Sequence, residues 1–273
     1  MQPLICKSFA KLNLCLHVLN QRKDGYHNLE SIFCIVDFFD TLSFQTNNSS
    51  VINLKTNSTE INTTDNLVTR AYNILSDLYD IPGVDIFLNK KIPIGSGLGG
   101  GSSNAAVTLL AINEIFKLNI SKNNLIKISE EIGADVSFFI NGGTAYVEGK
   151  GDIIQKISTD KKYFVLVLPN INISTKDIFE SLSPKDFMKK YSLRKLTESK
   201  FNTFEKIVMT KYPILKETKY WLSSFGSVRM SGTGSTLYIE YDNYESAVCA
   251  NKEIGRKYKS LTVGSLDSYD IFT

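Results

Sequence analysis

Between residues 10 and 18 apolar and polar side chains alternate. Ala10, Leu12, Leu14, Leu16 and Val18 fall on one face, Lys11, Asn13, Cys15 and His17 on the other. A period of two marks a β-strand with one buried face, so Lys11 and Asn13 are expected side by side on the open face. Asp24-Gly25 signals a turn, after which 31–44 reads as a second extended run and 51–55 as a third. From 66 to 79 the spacing becomes helical, with Leu67, Ala71, Ile74, Leu75 and Leu78 on one face and Thr64-Asp65 placed to cap the start. A β-branched run at 84–88 returns to strand, 104–116 reads as a helix, and Ser121 caps another that reaches about 132. Gly133-Ala134-Asp135 follows at once, and Gly142-Gly143 turns the chain into a strand at 144–148.

The pattern pauses at Gly149-Lys150-Gly151-Asp152, which places a boundary between a first domain, 1–150, and a second, 151–273. The second part continues with a strand at 163–168, a helix capped near Ser174, further helices to about 225, a strand at 236–241, a helix at 244–258 and a closing strand. Strands come in bursts and helices later, so the expected class is α+β with two domains rather than a doubly wound parallel sheet. The length of 273 residues agrees with two domains.

Composition narrows the function classes. With 42% hydrophobic and 22% charged residues the chain can build a core, and its net charge of +3 gives little reason to expect a polyanionic macromolecule. No apolar run approaches the roughly 20 residues of a membrane span, and the N-terminus lacks the layout of a secretory signal. A cytoplasmic protein without membrane or nucleic-acid partner is expected. Cys6, Cys15, Cys34 and Cys249 form no C-x-x-C pair and read as buried, reduced thiols. His17 and His27, the two histidines, cannot build a zinc cluster. Asn48-Ser49-Ser50, Asn57-Ser58-Thr59 and Asn62-Thr63-Thr64 match the glycosylation pattern by chance in an Asn-rich stretch.

The densest chemical signal is the run Pro93, Ile94, Gly95, Ser96, Gly97, Leu98, Gly99, Gly100, Gly101, Ser102, Ser103, which opens a helix. Successive glycines let backbone N–H groups curve round an anion, and the helix start adds unsatisfied N–H groups and a positive dipole end. Ser102 and Ser103 offer hydroxyls for phosphate or magnesium. A Walker A loop would end in Gly-Lys-Ser/Thr, and Gly101-Ser102-Ser103 lacks that lysine. Gly95, Gly97 and Gly100 satisfy G-x-G-x-x-G, but the acidic residue a dinucleotide site needs some 20 residues on is replaced by Lys117-Leu118-Asn119-Ile120.

This loop resembles the phosphate loop of the GHMP small-molecule kinases. Further matches follow in that family's order: Ala10-Lys11-Leu12-Asn13-Leu14, Asp24-Gly25-Tyr26-His27, Asp65-Asn66-Leu67, Gly133-Ala134-Asp135-Val136 and Ser231-Gly232-Thr233-Gly234. The resemblance covers most of 1–150 and thins beyond. It implies the two-domain GHMP-kinase-like fold, a ribosomal-protein-S5-like N-terminal domain with a ferredoxin-like C-terminal domain, acting as a monomer or homodimer. It also implies ATP and Mg2+, with the metal's ligands unknown.

By that resemblance Asp135 is the catalytic base and Lys11 its partner, orienting the carboxylate and offsetting charge on the moving phosphoryl group. Asn13 would meet the substrate near its reacting end, and Asn66 the adenine side. Tyr26 and His27, with Phe179 as a second stacking face and Thr175 nearby, would hold the cytosine of a cytidine diphosphate-linked polyol. That polyol, phosphorylated on its 2-hydroxyl, belongs to isoprenoid precursor synthesis. Two departures stand out: Ser96 lies inside the glycine cluster, and Ser137 stands where the family commonly has proline, which would loosen the loop holding Asp135. The rival readings are a GHMP kinase acting on homoserine, mevalonate or a sugar, and a nucleic-acid-binding module of related fold. The second would need a basic stripe with interleaved aromatics, which the chain lacks.

Overall fold

The structure is a computed structural model that describes residues 2–47 and 49–272; Asn48, of the first glycosylation match, lies outside them. Two long strands, β1 (Leu4–Gln21) and β2 (His27–Thr46), form an antiparallel hairpin across the Asp24-Gly25 turn. The other edge of β2 is shared between β4 (Val84–Asn89) and β5 (Thr144–Gly149), while β3 (Asn53–Thr56) runs parallel to β4 and β6 (Ile153–Lys156) closes against β5. A second sheet has the order β10-β7-β9-β8, from β7 (Tyr163–Val167), β8 (Val228–Met230), β9 (Leu237–Tyr241) and β10 (Ser260–Gly264).

The period of two explains how the sheets stack. Phe33 and Ile35 of β2 face a core built with helices, whereas Cys34 and Val36 face Phe164, Leu166 and Tyr238 of the second sheet. Val165 and Val167 point the other way, into a third core with Val208, Leu215, Leu222 and Ile254. The layers are therefore helix, sheet, sheet, helix. Over the first sheet lie α1 (Leu67–Tyr79), α2 (Gly100–Ile115), α3 (Lys122–Ser129) and the short α4 (Val136–Asn141). Over the second lie α5 (Thr175–Phe179), α7 (Glu205–Lys211), α8 (Pro213–Leu222) and α9 (Tyr244–Ile254), whereas α6 (Leu193–Glu198) packs its Leu196 against Cys15, Ile32 and Tyr146 of the first sheet. The C-terminal residues return to the first core, where Ile271 is buried and its carbonyl accepts from Lys7 N–H at 2.8 Å.

Several local expectations change. The polar face of β1 is not open to solvent, since Lys11, Asn13, Cys15 and His17 are all buried, because helices and the 188–203 segment cover what alternation alone leaves bare. Asn66 itself caps α1, its side-chain oxygen accepting from Val68 and Thr69 N–H, and Thr64-Asp65 stand outside the helix. The buried face of α1 runs through Val68, Ala71, Tyr72 and Leu75, leaving Leu78 exposed. Cys6, Cys15 and Cys34 are buried, and burial pushes each thiol up to about 12, but Cys249 is exposed. Asn57 and Asn62 spend their carboxamides locally, Asn57 bridging to Lys90 N–H and Asn62 holding Thr64 N–H.

Candidate active site

The glycine-rich run leaves β4 and enters α2 by conformations that require its glycines. Gly95, Gly97 and Gly99 have φ of 61, 77 and 69°, where L side chains are strained. A Cβ on Gly97 would stand 2.1 Å from the Ser231 carbonyl oxygen, and one on Gly99 2.9 Å from the Phe139 ring and 3.1 Å from the Lys11 stem. Gly99 is also the N-cap of α2 and brings no capping side chain, so the first N–H groups of that helix are left for an outside acceptor.

The second glycine segment, 231–234, is stitched onto the first. The Ser231 hydroxyl donates to the Gly97 carbonyl at 2.9 Å and accepts from Asn13 N–H at 3.1 Å, and Thr236 N–H donates to the Ser96 carbonyl at 3.1 Å. Ser96, the departure inside the cluster, donates its hydroxyl to the Pro93 carbonyl at 2.7 Å and tightens the turn. Beneath the start of α2 the buried Asp40 accepts from Lys91 N–H, Ile92 N–H, Asn104 Nδ2 and Lys90 Nζ. Burial lowers the Lys90 ammonium from its usual range, and Asp40 opposes that shift.

Lys11 and Asp135 meet beside this loop, from opposite ends of the first unit's sequence. Lys11 N–H donates to the Leu98 carbonyl at 2.9 Å, which seats β1 against the glycine loop. Its Nζ lies 3.3 Å from Asp135 Oδ2, 2.6 Å from Asn13 Oδ1 and 4.2 Å from the Phe33 ring centre. Asp135 stands at the N-cap of α4 but makes no capping hydrogen bond, so its carboxylate is not consumed by the helix. The helix behind it is anchored by Val136, Phe138 and Phe139, all buried. Ser137 is buried and donates to the Ala134 carbonyl at 3.3 Å, so the serine ties this turn back where a looser loop is expected from the missing proline.

All of this opens onto one cleft of about 1320 Å³. That exceeds the roughly 300–1,000 Å³ of a pocket for one small ligand and leaves room for two. In its wall the His27 and Phe179 rings stand 5.3 Å apart, Phe179 backs onto Phe204 at 4.6 Å, and Tyr26 is 61% exposed. Burial lowers the His27 pKa, which favours the neutral ring that both donates and accepts hydrogen bonds. Thr175 Oγ1 is 3.1 Å from Thr233 Oγ1, joining this wall to the second glycine segment.

Nearly every expected residue therefore reaches the cleft: Lys11, Asn13, Tyr26, His27, Asn66, Thr175, Phe179 and Asp135 line it, as do Pro93, Ile94, Gly95, Ser96, Gly97 and Gly99 through Ser102. Two do not. Leu98 is buried in the core between the sheets, and Ser103 turns inward, its hydroxyl accepting from Ser8 at 2.8 Å. The Asn66 carboxamide is spent on α1. Lys150 is a cleft residue that pattern reading passes over, because its place between Gly149 and Gly151 reads only as a boundary. Lys11, Lys90, Arg70 and Lys176 each pair with a carboxylate, whereas Lys150 forms no ion pair among the described residues, its ammonium lying 5.9 Å from the Tyr26 ring centre. Among the described residues no group of three or more His, Cys, Asp and Glu stands together as a metal site.

Comparison with known proteins agrees with this geometry. Residues 66–143 match the model of the GHMP kinases N terminal domain and residues 190–259 that of the GHMP kinases C terminal region. A 4-diphosphocytidyl-2-C-methyl-D-erythritol kinase from Hahella chejuensis is 35% identical over 97% of this chain and 94% of its own length. A crystal structure of 4-(cytidine 5'-diphospho)-2C-methyl-D-erythritol kinase superposes with a TM-score of 0.84 at 27% identity, covering 96% of this chain and 98% of that one. A homoserine kinase from Cytophaga hutchinsonii shares the fold, with a TM-score of 0.72 at 17% identity over 100% and 96% of the two chains.

Fold and cleft define a small-molecule kinase, a phosphotransferase with an alcohol acceptor. More narrowly, the chain belongs to the GHMP kinase family, in the branch of its 4-diphosphocytidyl-2-C-methyl-D-erythritol kinase relatives. No helix among the described residues is long and apolar enough to cross a membrane.

Proposed function

We propose that the protein transfers the γ-phosphoryl group of ATP to the 2-hydroxyl of 4-diphosphocytidyl-2-C-methyl-D-erythritol, a step in isoprenoid precursor synthesis. The observation that carries this reading is that one cleft is lined by a phosphate cradle, the Lys11–Asp135 pair and the His27–Phe179 aromatic wall. An acceptor with its base at one end and its hydroxyl at the other spans the second and third parts, while the cradle takes the triphosphate.

In this reading Asp135 accepts the proton of the attacking hydroxyl, the oxygen bonds to the γ-phosphorus, and the bond to the β,γ-bridging oxygen breaks to release ADP. Lys11 holds the carboxylate in place and offsets charge on the transferring group, and Asn13, bonded to Lys11, positions the acceptor. Backbone N–H groups from Gly95 to Ser102 cradle the phosphates, and Asn66 forms wall on the adenine side. Tyr26, His27 and Phe179 hold cytosine, with Lys150 adding a cation beside them and Thr175 below. Residues 1–150 act as the nucleotide and catalytic unit and 151–273 as the substrate-side unit.

The donor set fits ATP, since Gly99 brings no capping side chain to the start of α2 and leaves its first N–H groups for a phosphate. Magnesium would be held chiefly by phosphate oxygens, with Ser102 as the side-chain candidate, and supplies charge neutralisation when bound. Homoserine, mevalonate and simple sugars have no base for the aromatic wall to hold. Inhibition by cytidine nucleotides separates these readings. CMP and CDP should compete with the acceptor at a concentration near its KM, while AMP and UMP should not; absence of competition by CMP and CDP would favour a different acceptor.

A further inference from the structure

The aromatic wall of the cleft is carried by a stretch of chain with little core of its own. Phe179 and Leu182 line the cleft, the chain then wanders through 183–203 with a single 3-10 turn at Pro184–Asp186 and the short α6, and Phe204 returns to the cleft behind Phe179. Its path is set by bonds to β1 and β2. Met188 N–H donates to the Val18 carbonyl at 2.8 Å, one residue after Phe187, whose ring lies 6.1 Å from His27. Leu16 N–H donates to the Phe201 carbonyl and Thr203 N–H to the Leu16 carbonyl, each at 2.9 Å, just before Phe204.

Between these pins sits a fully buried carboxylate and imidazole. Glu30 Oε1 accepts from Tyr191 N–H at 2.9 Å and lies 3.0 Å from His17 Nδ1, while His17 Nε2 lies 3.0 Å from the Ser199 hydroxyl. The Ser199 oxygen also accepts from Phe201 N–H at 3.3 Å, which leaves its proton for His17. One set of directions runs along the whole chain: Phe201 N–H to Ser199, Ser199 O–H to His17 Nε2, His17 Nδ1–H to Glu30. Tyr191 and Phe201 close the ring edges at 4.9 and 5.8 Å. The second Glu30 oxygen has no hydrogen-bond partner among the described residues. A buried, half-satisfied carboxylate costs stability that an apolar pair would not, so packing alone does not account for it. What it supplies is direction: one oxygen fixes the segment at 191 and, through His17, at 199.

We propose that Glu30 and His17 are positioning residues for acceptor binding, a latch that fastens the 187–203 segment to β1 and β2 and so holds Phe179, Leu182 and Phe187 against His27. This rests on the reading of the aromatic wall as the site of the acceptor's base. The latch touches neither the glycine loop nor Asp135. Its loss therefore loosens acceptor binding and leaves the ATP side and the chemical step alone.

Steady-state kinetics with each substrate varied, together with CMP binding by calorimetry, test this on the wild type, Glu30→Ala, Glu30→Gln and Ser199→Ala. Losing a buried hydrogen-bond partner should raise the acceptor KM and the CMP Kd by about tenfold in Glu30→Ala. The ATP KM and kcat should stay within about twofold of wild type. Glu30→Gln keeps the accepting oxygen and should restore most of the loss, and Ser199→Ala, which spares the core, should move the same two constants by a smaller factor. Should Glu30→Ala fail to fold, Ser199→Ala decides. A folded Ser199→Ala protein with unchanged acceptor KM and CMP Kd, or variants that lower kcat alone, would overturn the latch. Wild-type protein that binds no CMP would instead overturn the reading of the wall on which the latch rests.

Discussion

Replacing Asp135 by Asn is expected to lower kcat by about 10²–10⁴-fold, the usual worth of a positioned general base. The substitution keeps the shape of the side chain and leaves an oxygen for Lys11, whose Nζ lies 3.3 Å away, but removes the proton acceptor. Because Asp135 makes no capping bond to α4 and remains 30% exposed, the fold does not depend on its charge. Melting temperature, ATP binding and CMP binding should therefore match the wild type within error, and the loss should sit in kcat rather than in either KM. Single-turnover measurement of phosphate transfer gives the cleanest readout, since it isolates the chemical step. A variant that keeps more than about a tenth of the wild-type rate would remove Asp135 from the role of base.

Lys11→Met is the second large effect, with an expected loss of about 10²–10³-fold in kcat. Alanine would be a poorer probe, because the lysine stem itself fills space against Gly99 and the Phe33 ring. Methionine retains most of that apolar stem and deletes the ammonium, so stability should fall by what the lost bonds to Asn13 and Asp135 contribute, about 1–3 kcal/mol. Lys11→Arg should not rescue the rate. Its planar head is larger and directs its donors differently, and the site is closed on one side by the glycine loop. Equal rates for Lys11→Met and wild type would show that the ion pair is structural only.

Much of this site is legible in the chain because two of its parts are local. A glycine cluster before a helix is a cradle by its backbone alone, and the period of two in residues 10–18 places Lys11 and Asn13 on one face. What faces them is not local. That Lys11 is buried, and that its neighbour is a carboxylate over a hundred residues away, depends on α4 folding over β1, and α4 is six residues of apolar sequence too short to announce itself. Leu98 sits in the loop yet points inward, since the core between the sheets is sealed there, a fact set by Phe164 and Tyr238 on other strands. The short strands β6 and β8 escape for the same reason, being held by partners rather than by their own pattern. Lys150 is hidden by its glycines, which look like punctuation and turn out to bring a cation to the cleft.

On the proposed function, this cleft phosphorylates a cytidine diphosphate-linked polyol. The most direct test is to incubate the purified protein with ATP, Mg2+ and 4-diphosphocytidyl-2-C-methyl-D-erythritol and to follow the acceptor by mass spectrometry. The acceptor should gain one phosphoryl group, on its 2-hydroxyl, with one ADP formed for each product. An acceptor that stays unchanged beside a folded, ATP-binding enzyme would contradict it.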